Sequence, residues 1–127
     1  MSDLSPVVQA FLDEHIFSAS QLEVLLLLRD DAGRAWPLAE VSRRTALPQS
    51  SLGPWLDSFV SRGLLTREGD TYRFAPAEPR MEEVVAEVAD VYKRRRTTVS
   101  RHIYARTQDP LVRFADAFRL RRPGSKD

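Results

Sequence analysis

The sequence predicts a mostly α-helical fold with one small β-hairpin, followed by a long helix and a short terminal helix. Apolar residues recur at helical spacing in two neighbouring short segments, residues 38–47 and 49–60. Two short runs of alternating polarity come next, and Gly69-Asp70 lies between them as the turn of a hairpin. A further apolar pattern with helical steps runs from Met81 to about Ala105.

Two helices are expected before this region. The segment Pro6–His15 carries one apolar stripe, and Ser18 or Ser20 is expected to cap the helix that follows. Gln21 stands three residues after Ser18, as in a capping box. The leucine-rich run over residues 22–28 is apolar nearly all round, which indicates a helix buried on several sides.

A turn, a short strand and a helix follow. Residues 30–34 have the composition of a turn, and Ala35-Trp36 is expected to be a strand that pairs with the hairpin. Trp36 is interpreted as a lid on the core rather than as a stacking residue. Pro37 opens the helix Leu38–Thr45, because proline is well tolerated at a first helical position.

The next helix is expected to begin near Gln49 and to end before Gly63, where glycine favours a left-handed cap. Pro54 removes a backbone hydrogen bond about one turn into this helix, so a late helix start or a kink is expected. The two strands of the hairpin are expected over Leu64–Glu68 and Thr71–Ala75.

This order of helix, turn, helix and hairpin resembles the winged helix-turn-helix transcription regulators of bacteria, and most closely the MarR-like group. The resemblance covers roughly residues 20–76 and implies a DNA-binding domain, although winged helices also serve as protein-docking modules. The residues that carry it are Ala39-Glu40-Val41-Ser42, Leu47-Pro48, Leu52, Leu56, Phe59 and Arg62-Gly63-Leu64-Leu65.

In a helix-turn-helix the first residues of the second helix face base edges in the major groove, and here they are Gln49, Ser50 and Ser51. Glutamine can pair with adenine, and serine can contact bases or phosphates. A second interpretation treats the nearby arginines as solvated charges beside neighbouring carboxylates. The arginines expected to reach phosphates are Arg43, Arg44, Arg62, Arg67 and Arg73.

The formal net charge of +1 is unevenly spread along the chain. Residues 1–79 hold 7 Lys+Arg against 11 Asp+Glu, a net charge of −4, whereas residues 80–127 hold 12 against 7, a net charge of +5. A duplex-binding surface needs a basic face. The acidic first half therefore favours an alternative function, a docking module that does not bind DNA specifically.

The apolar seam after residue 80 predicts a long helix of about 38 Å, since 25 residues rise 1.5 Å each. Its length suggests a partner, either the N-terminal helix of the same chain or the same helix of a second copy in a homodimer. The residues expected to line that interface are Met81, Val85, Val88, Tyr92, Val99 and Ile103.

The basic stretch Lys93–Arg106 leaves two interpretations open, phosphate contact or pairing with acidic residues such as Asp13, Glu14 or Asp116. A last helix is expected from Asp109-Pro110 to near Leu120, with an apolar face that needs cover. The predicted organisation is a winged domain with its N-terminal helix over residues 1–76, a helical extension over 80–122 and a tail over 123–127.

The composition excludes several functions. The chain has no cysteine, so disulfides, thiolate chemistry and cysteine–zinc sites are absent, and it has no run of 18 apolar residues for a membrane span. Its start lacks a secretion signal, which predicts a cytoplasmic protein. His15 and His102 stand apart without clustered ligands, so neither a metal site, a cofactor nor an enzymatic activity is expected.

The sequence therefore predicts a homodimeric DNA-binding transcription regulator whose partner is double-stranded DNA, with no membrane association. The alternative is a winged-helix adaptor or accessory regulator that binds another protein. The arginine-free start of the second helix, residues 49–53, and the surplus apolar helices at the C-terminal end favour this alternative.

Overall fold

The computed structural model describes residues 4–108, in which six helices accompany one three-stranded antiparallel sheet. The predicted order of helix, turn, helix and hairpin is confirmed. The elements are α1 (Pro6–His15), α2 (Ala19–Asp30), β1 (Trp36–Pro37), α3 (Leu38–Thr45), α4 (Gln49–Ser61), β2 (Leu65–Glu68), β3 (Thr71–Phe74), α5 (Pro79–Arg94) and α6 (Arg96–Gln108).

The hairpin of β2 and β3, here called the wing, carries β1 on its other edge in the order β1-β3-β2. Glu68 pairs with Thr71, so the turn between the strands has two residues, as the sequence predicts. Gly69 begins this turn with a φ of +64°, which a type II′ turn requires and glycine adopts without strain. The strand β1 covers Trp36–Pro37, one residue later than expected.

Local capping explains why the first two helices begin where they do. The Ser5 hydroxyl accepts a hydrogen bond from the Val8 backbone N–H at 3.2 Å, and the Ser18 hydroxyl accepts one from the Gln21 N–H at 3.1 Å. The Gln21 side-chain oxygen also accepts from the backbone N–H of Phe17 at 2.7 Å. The capping box is therefore present, although its return bond reaches one residue further back than in the standard motif.

Two expectations about helix continuity are corrected. Helix α4 begins at Gln49, as the apolar spacing predicts, and continues through Pro54, so of the two alternatives expected at this proline the late start does not occur. The long helix expected from Met81 to Ala105 is interrupted at Arg95, whose φ of −136° and ψ of 54° are not helical. The interruption lets α6 turn and pack against α1 and α2, where Val99 becomes fully buried.

One apolar core joins α1, α2, α4 and the wing to α5 and α6, so side chains from both predicted domains contribute to it. Trp36 is 1% exposed, which confirms its place in the core. Among residues 4–108 we find no helix that could serve as a membrane span. The last helix expected after Asp109 lies outside the described residues.

Candidate nucleic-acid interface

The turn between α3 and α4 is held by side chains of α3. The Ser42 hydroxyl donates to the Leu47 carbonyl at 2.6 Å, and the Thr45 hydroxyl donates to the Val41 carbonyl at 2.8 Å. Ala46 ends α3 in the left-handed conformation, with φ of 61° and ψ of 26°. These bonds, together with this backbone conformation, fix the angle at which α4 leaves α3.

The predicted base-contacting residues lie in the first turn of α4, which faces solvent. Gln49 and Ser50 are exposed, and Ser51 is half-buried. The first N–H groups of a helix have no partner within it, and no side chain caps this end. Such a terminus favours anionic groups such as phosphate. The opposite face is anchored in the core by Leu52, Leu56 and Phe59.

The two arginines at the end of α3 are exposed beside this terminus. Arg44 lies over the ring of Trp36, with its guanidinium carbon 5.3 Å from the ring centroid. Neither Arg43 nor Arg44 has a carboxylate within 4 Å among residues 4–108, whereas Arg34, which also lies over Trp36, pairs with Glu40. Arg43 and Arg44 are therefore available to an external anion.

The wing places its two arginines on opposite faces. Arg67 stands opposite Tyr72 in the sheet, and side chains of directly opposed residues share a face. Arg73 follows Tyr72 in β3, so it points to the other face, where it is exposed and has no carboxylate partner in the described chain. Arg67 and Arg73 are expected to reach phosphates together, but their side chains point to opposite faces of the wing.

Arg67 is instead directed toward α4. Its guanidinium donates to the Asp57 carboxylate at 2.8 Å and to the Gly69 carbonyl at 2.7 Å. The Tyr72 hydroxyl donates to the same Asp57 oxygen at 2.8 Å. Burial, followed by this hydrogen bond to Asp57, raises the pKa of Tyr72 above its ordinary value, so the hydroxyl keeps its proton and remains a donor.

Arg62 lies at the end of α4 but binds within the chain. Its guanidinium donates to the Glu14 carbonyl at 2.7 Å and lies 3.2 Å from Nδ1 of His15. Burial lowers the pKa of His15, with Glu14 opposing the shift and Arg62 adding to it. A neutral His15 can accept from Arg62, so this arginine fastens α4 to α1 rather than facing an external phosphate.

The residues expected to form a dimer seam lie mostly in the chain's own core. Val85, Val88 and Val99 are fully buried, and Tyr92 and Ile103 are almost so, while Met81 is partly buried. They contact α1 and α2 of the same chain, so the seam cannot also face a second copy. Of the two partners expected for the seam, the N-terminal helix of the same chain is therefore the one observed, the predicted dimer interface is corrected, and a dimer would have to use other surfaces.

The basic stretch is largely neutralised within the chain. Arg94 pairs with Asp90 at 2.9 Å, Arg96 lies 3.5 Å from Glu23, and Arg106 lies 3.5 Å from Asp13. These three arginines therefore pair with acidic residues, as one of the two interpretations predicts, and Asp13 is one of the partners that it names. Lys93 and Arg101 are exposed and have no carboxylate within 4 Å in the described part of the chain.

Asp57 is one of the carboxylates expected beside the arginines near the turn, with Glu40, Glu68 and Asp70, but its pairing with Arg67 and its contact with Tyr72 carry no periodic signal in the sequence. Sequence reasoning placed Arg62 among the DNA contacts, although a carbonyl at the end of α1 binds it. Within residues 4–108 no group of three or more histidine or acidic side chains could hold a metal ion.

Comparison with known proteins supports the helix-turn-helix but not the MarR-like subtype. Residues 22–69 match the model of the IclR helix-turn-helix domain, which supports a DNA-binding helix-turn-helix in this part of the chain. The MarR-like subtype is not supported, since IclR is a different family. No solved structure matches the chain.

Over 80 residues the chain is 38% identical to the tetracenomycin polyketide synthesis 8-O-methyl transferase TcmO of Streptomyces glaucescens. The alignment covers 61% of this chain but only 23% of that protein. The chain therefore spans less than a quarter of the length of the curated relative that it matches.

Proposed function

We propose that the chain is a DNA-binding transcription regulator. In this proposal the first turn of α4 enters the major groove, where Gln49, Ser50 and Ser51 contact base edges. Arg43 and Arg44 bind phosphates beside the groove, and Arg73 binds a phosphate from the outer face of the wing. Arg62 and Arg67 are left out of the contact set, because both have partners within the chain.

The observation that carries this proposal is the exposed, uncapped start of α4 beside two arginines without carboxylate partners. Phosphate neutralisation supplies most of the affinity of such interfaces, and a helix N-terminus adds N–H donors that suit an anion. The neighbouring carboxylates Glu40 and Asp57 are occupied by Arg34 and Arg67. The local surface is therefore less acidic than the charge of −4 over residues 1–79 suggests.

We also propose a homodimer, but with a contact surface other than the α5–α6 seam. Two copies would present two reading heads to one duplex, which a single short helix needs for a specific site. With the α5–α6 seam buried, we assign the contact to exposed surface such as the outer face of α6, where Tyr104 is 66% exposed. Light scattering at micromolar concentration tests this, and a monomeric mass would remove the dimer without affecting the DNA proposal.

The experiment for DNA binding is a salt titration of affinity for a mixed-sequence duplex. We expect wild-type protein to bind with a Kd of about 10⁻⁴ to 10⁻⁶ M near physiological salt, the usual non-specific range. Substituting Arg43→Gln and Arg44→Gln together should reduce the slope of log K against log salt by about two. The control Arg80→Gln, an exposed arginine on α5, should leave the slope unchanged.

A second candidate is a protein-docking domain, and two observations favour it. Two of the five arginines expected on phosphates are bound inside the chain, and the local similarity to TcmO involves a protein whose name describes a methyl transferase. Under this alternative the exposed start of α4 contacts a protein. Wild-type protein would then show no duplex binding at either low or moderate salt.

We further propose that the chain lies in the cytoplasm and has neither a catalytic activity nor a cofactor. This proposal rests on the residues of this chain alone, because the matched relative is more than four times as long as the aligned part. A methyl transfer activity of a longer protein would not conflict with a binding role for this chain.

A further inference from the structure

Four residues of α5 share one line along the helix, because they are spaced by four, three and four positions. They are Glu82, Ala86, Ala89 and Lys93, here called the outer row. Glu82 and Lys93 are exposed, and neither pairs with an opposite charge in the described part of the chain. The two alanines between them are half-buried. The outer row therefore has an unpaired acid at one end, an unpaired cation at the other and two small side chains at its centre.

The outer row borders an open groove between α2 and α5. Two adjoining cavities of about 630 Å³ and about 520 Å³ form this groove, and Ala86 lines both of them. Ala89 and Lys93 line the larger cavity together with the half-buried Leu27 of α2, and Glu82 lines the smaller one. The groove therefore has an apolar surface at its centre and opposite charges toward its two ends, which leaves room for a second helix.

We infer that the outer row is where two copies of this chain meet, with their α5 helices antiparallel. This inference rests on the homodimer of the proposed function and assigns it a contact surface. In a two-fold contact centred between Ala86 and Ala89, Glu82 of each copy lies opposite Lys93 of the other copy. The alanines meet at the centre, where small side chains allow the helix axes to approach to about 8 Å.

The charges select this arrangement over its alternatives. A parallel pairing would place Glu82 beside Glu82 and Lys93 beside Lys93, and like charges that meet across an interface are unfavourable. The outer face of α6 suits a two-fold contact less well, because α6 contains three arginines and no acidic residue. Two such faces cannot balance each other's charge, whereas two outer rows can. The contact therefore belongs to α5.

Charge reversal in the full-length protein tests this contact, by native mass spectrometry in the absence of DNA. Wild-type protein should form a dimer at micromolar concentration. Glu82→Lys and Lys93→Glu should each raise the dimer Kd by about tenfold or more, because two attractive pairs in each dimer become repulsive. The matched control Arg80→Glu makes the same change of charge as Lys93→Glu at an exposed position of α5 outside the outer row, and should leave the Kd unchanged.

Mixing the two single variants separates a lost contact from a folding defect. Glu82→Lys and Lys93→Glu proteins have complementary outer rows, so an equimolar mixture should form the heterodimer in preference to either homodimer. The double variant Glu82→Lys/Lys93→Glu carries the same pairs in reverse and should dimerise with itself.

Three results would overturn the assignment of the contact to the outer row. A monomeric wild-type protein would remove the homodimer as well. A dimer whose Kd neither single variant changes would move the contact to another surface. The same holds if the mixture and the double variant both stay monomeric. None of these results depends on whether α4 binds DNA, so the DNA-binding proposal is tested separately.

Discussion

The carboxylate of Asp57 on α4 holds the guanidinium of Arg67 on the wing at 2.8 Å. Both side chains are nearly half exposed, so the pair adds little to folding stability. Its consequence is positional, because it directs Arg67 toward α4 and balances the charge of this arginine with a carboxylate. Release of Arg67 should therefore increase the attraction of this surface for DNA.

We predict that Asp57→Asn increases the slope of log K against log salt for duplex binding by about one phosphate contact. Asparagine keeps an acceptor for the Tyr72 hydroxyl but loses the charge that binds Arg67. The control Asp70→Asn removes a charge of the same sign from the wing turn without touching Arg67, and should leave the slope unchanged. In the double variant Asp57→Asn/Arg67→Gln the slope should return to the wild-type value.

The two wing arginines should behave differently although they are both exposed. Arg73→Gln should reduce the salt slope by about one, because Arg73 is free on the outer face of the sheet. Arg67→Gln should change the slope little while Asp57 is present. Equal losses in the two single variants, measured by fluorescence anisotropy over a range of salt, would contradict the opposite-face arrangement.

Ala46 is the one non-glycine residue with a positive φ in the described chain. A left-handed conformation costs an L-residue about 1–2 kcal/mol. Glycine avoids this cost, but its unfolded state has a higher conformational entropy, so only part of the energy is regained. Ala46→Gly should therefore stabilise the chain by up to about 1 kcal/mol in urea unfolding. Ala10→Gly, at an exposed position inside α1, should instead destabilise it by about 0.5–1 kcal/mol. A destabilised Ala46→Gly variant would show that the turn is not strained.

Stability should decrease as the pH falls below about 6.5, the ordinary pKa of histidine. Burial lowers the pKa of His15 in the folded state, while Glu14 raises it and Arg62 lowers it further. The unfolded chain therefore takes up a proton at a higher pH than the folded chain, so stability is complete above pH 6.5 and is lost toward the lower folded-state pKa.

His15→Gln should remove part of this dependence, because glutamine can still accept from Arg62 but does not titrate. The measurement is the free energy of urea unfolding at pH 7.5 and pH 5.5. His102→Gln, which leaves His15 in place, should retain the contribution of His15. An unchanged pH dependence in His15→Gln would assign the loss of stability to other groups.

The helix-turn-helix could be predicted because its signals are local. The apolar spacing and the proline before Leu38 gave the bounds of α3, and the start of α4 at Gln49 was predicted in the same way. The turn Gly69-Asp70 set the register of the wing. A periodic face and a turn residue act within a few positions, so the sequence alone specifies them.

The break at Arg95 could not be predicted from the same kind of signal. No glycine or proline occurs over residues 80–108, and the apolar steps from Tyr92 to Val99 continue across the break. The helix is interrupted there because α6 packs on α1 and α2. An apolar seam also has the same pattern whether a helix of its own chain or of a second copy covers it, which is why the dimer seam was misplaced.

The sequence shows only in part which of the predicted DNA-contact residues are free of partners within the chain, for a related reason. Exposure and helix position identify Gln49, Ser50 and Arg43 as surface residues near the turn. The partners of Arg62 and Arg67 come from other elements, α1 and α4, so their engagement depends on tertiary structure. Charge patterns along a chain do not contain that information.

We propose that the exposed start of α4 binds duplex DNA. The most direct test is the sequencing of genomic fragments from the source organism that the purified protein retains at two salt concentrations. We expect the retained fragments to be enriched for a shared motif, and Arg43→Gln/Arg44→Gln/Arg73→Gln protein should lose that enrichment. Retention of no DNA by the wild-type protein at either salt concentration would contradict the claim and make the winged helix a protein-docking surface.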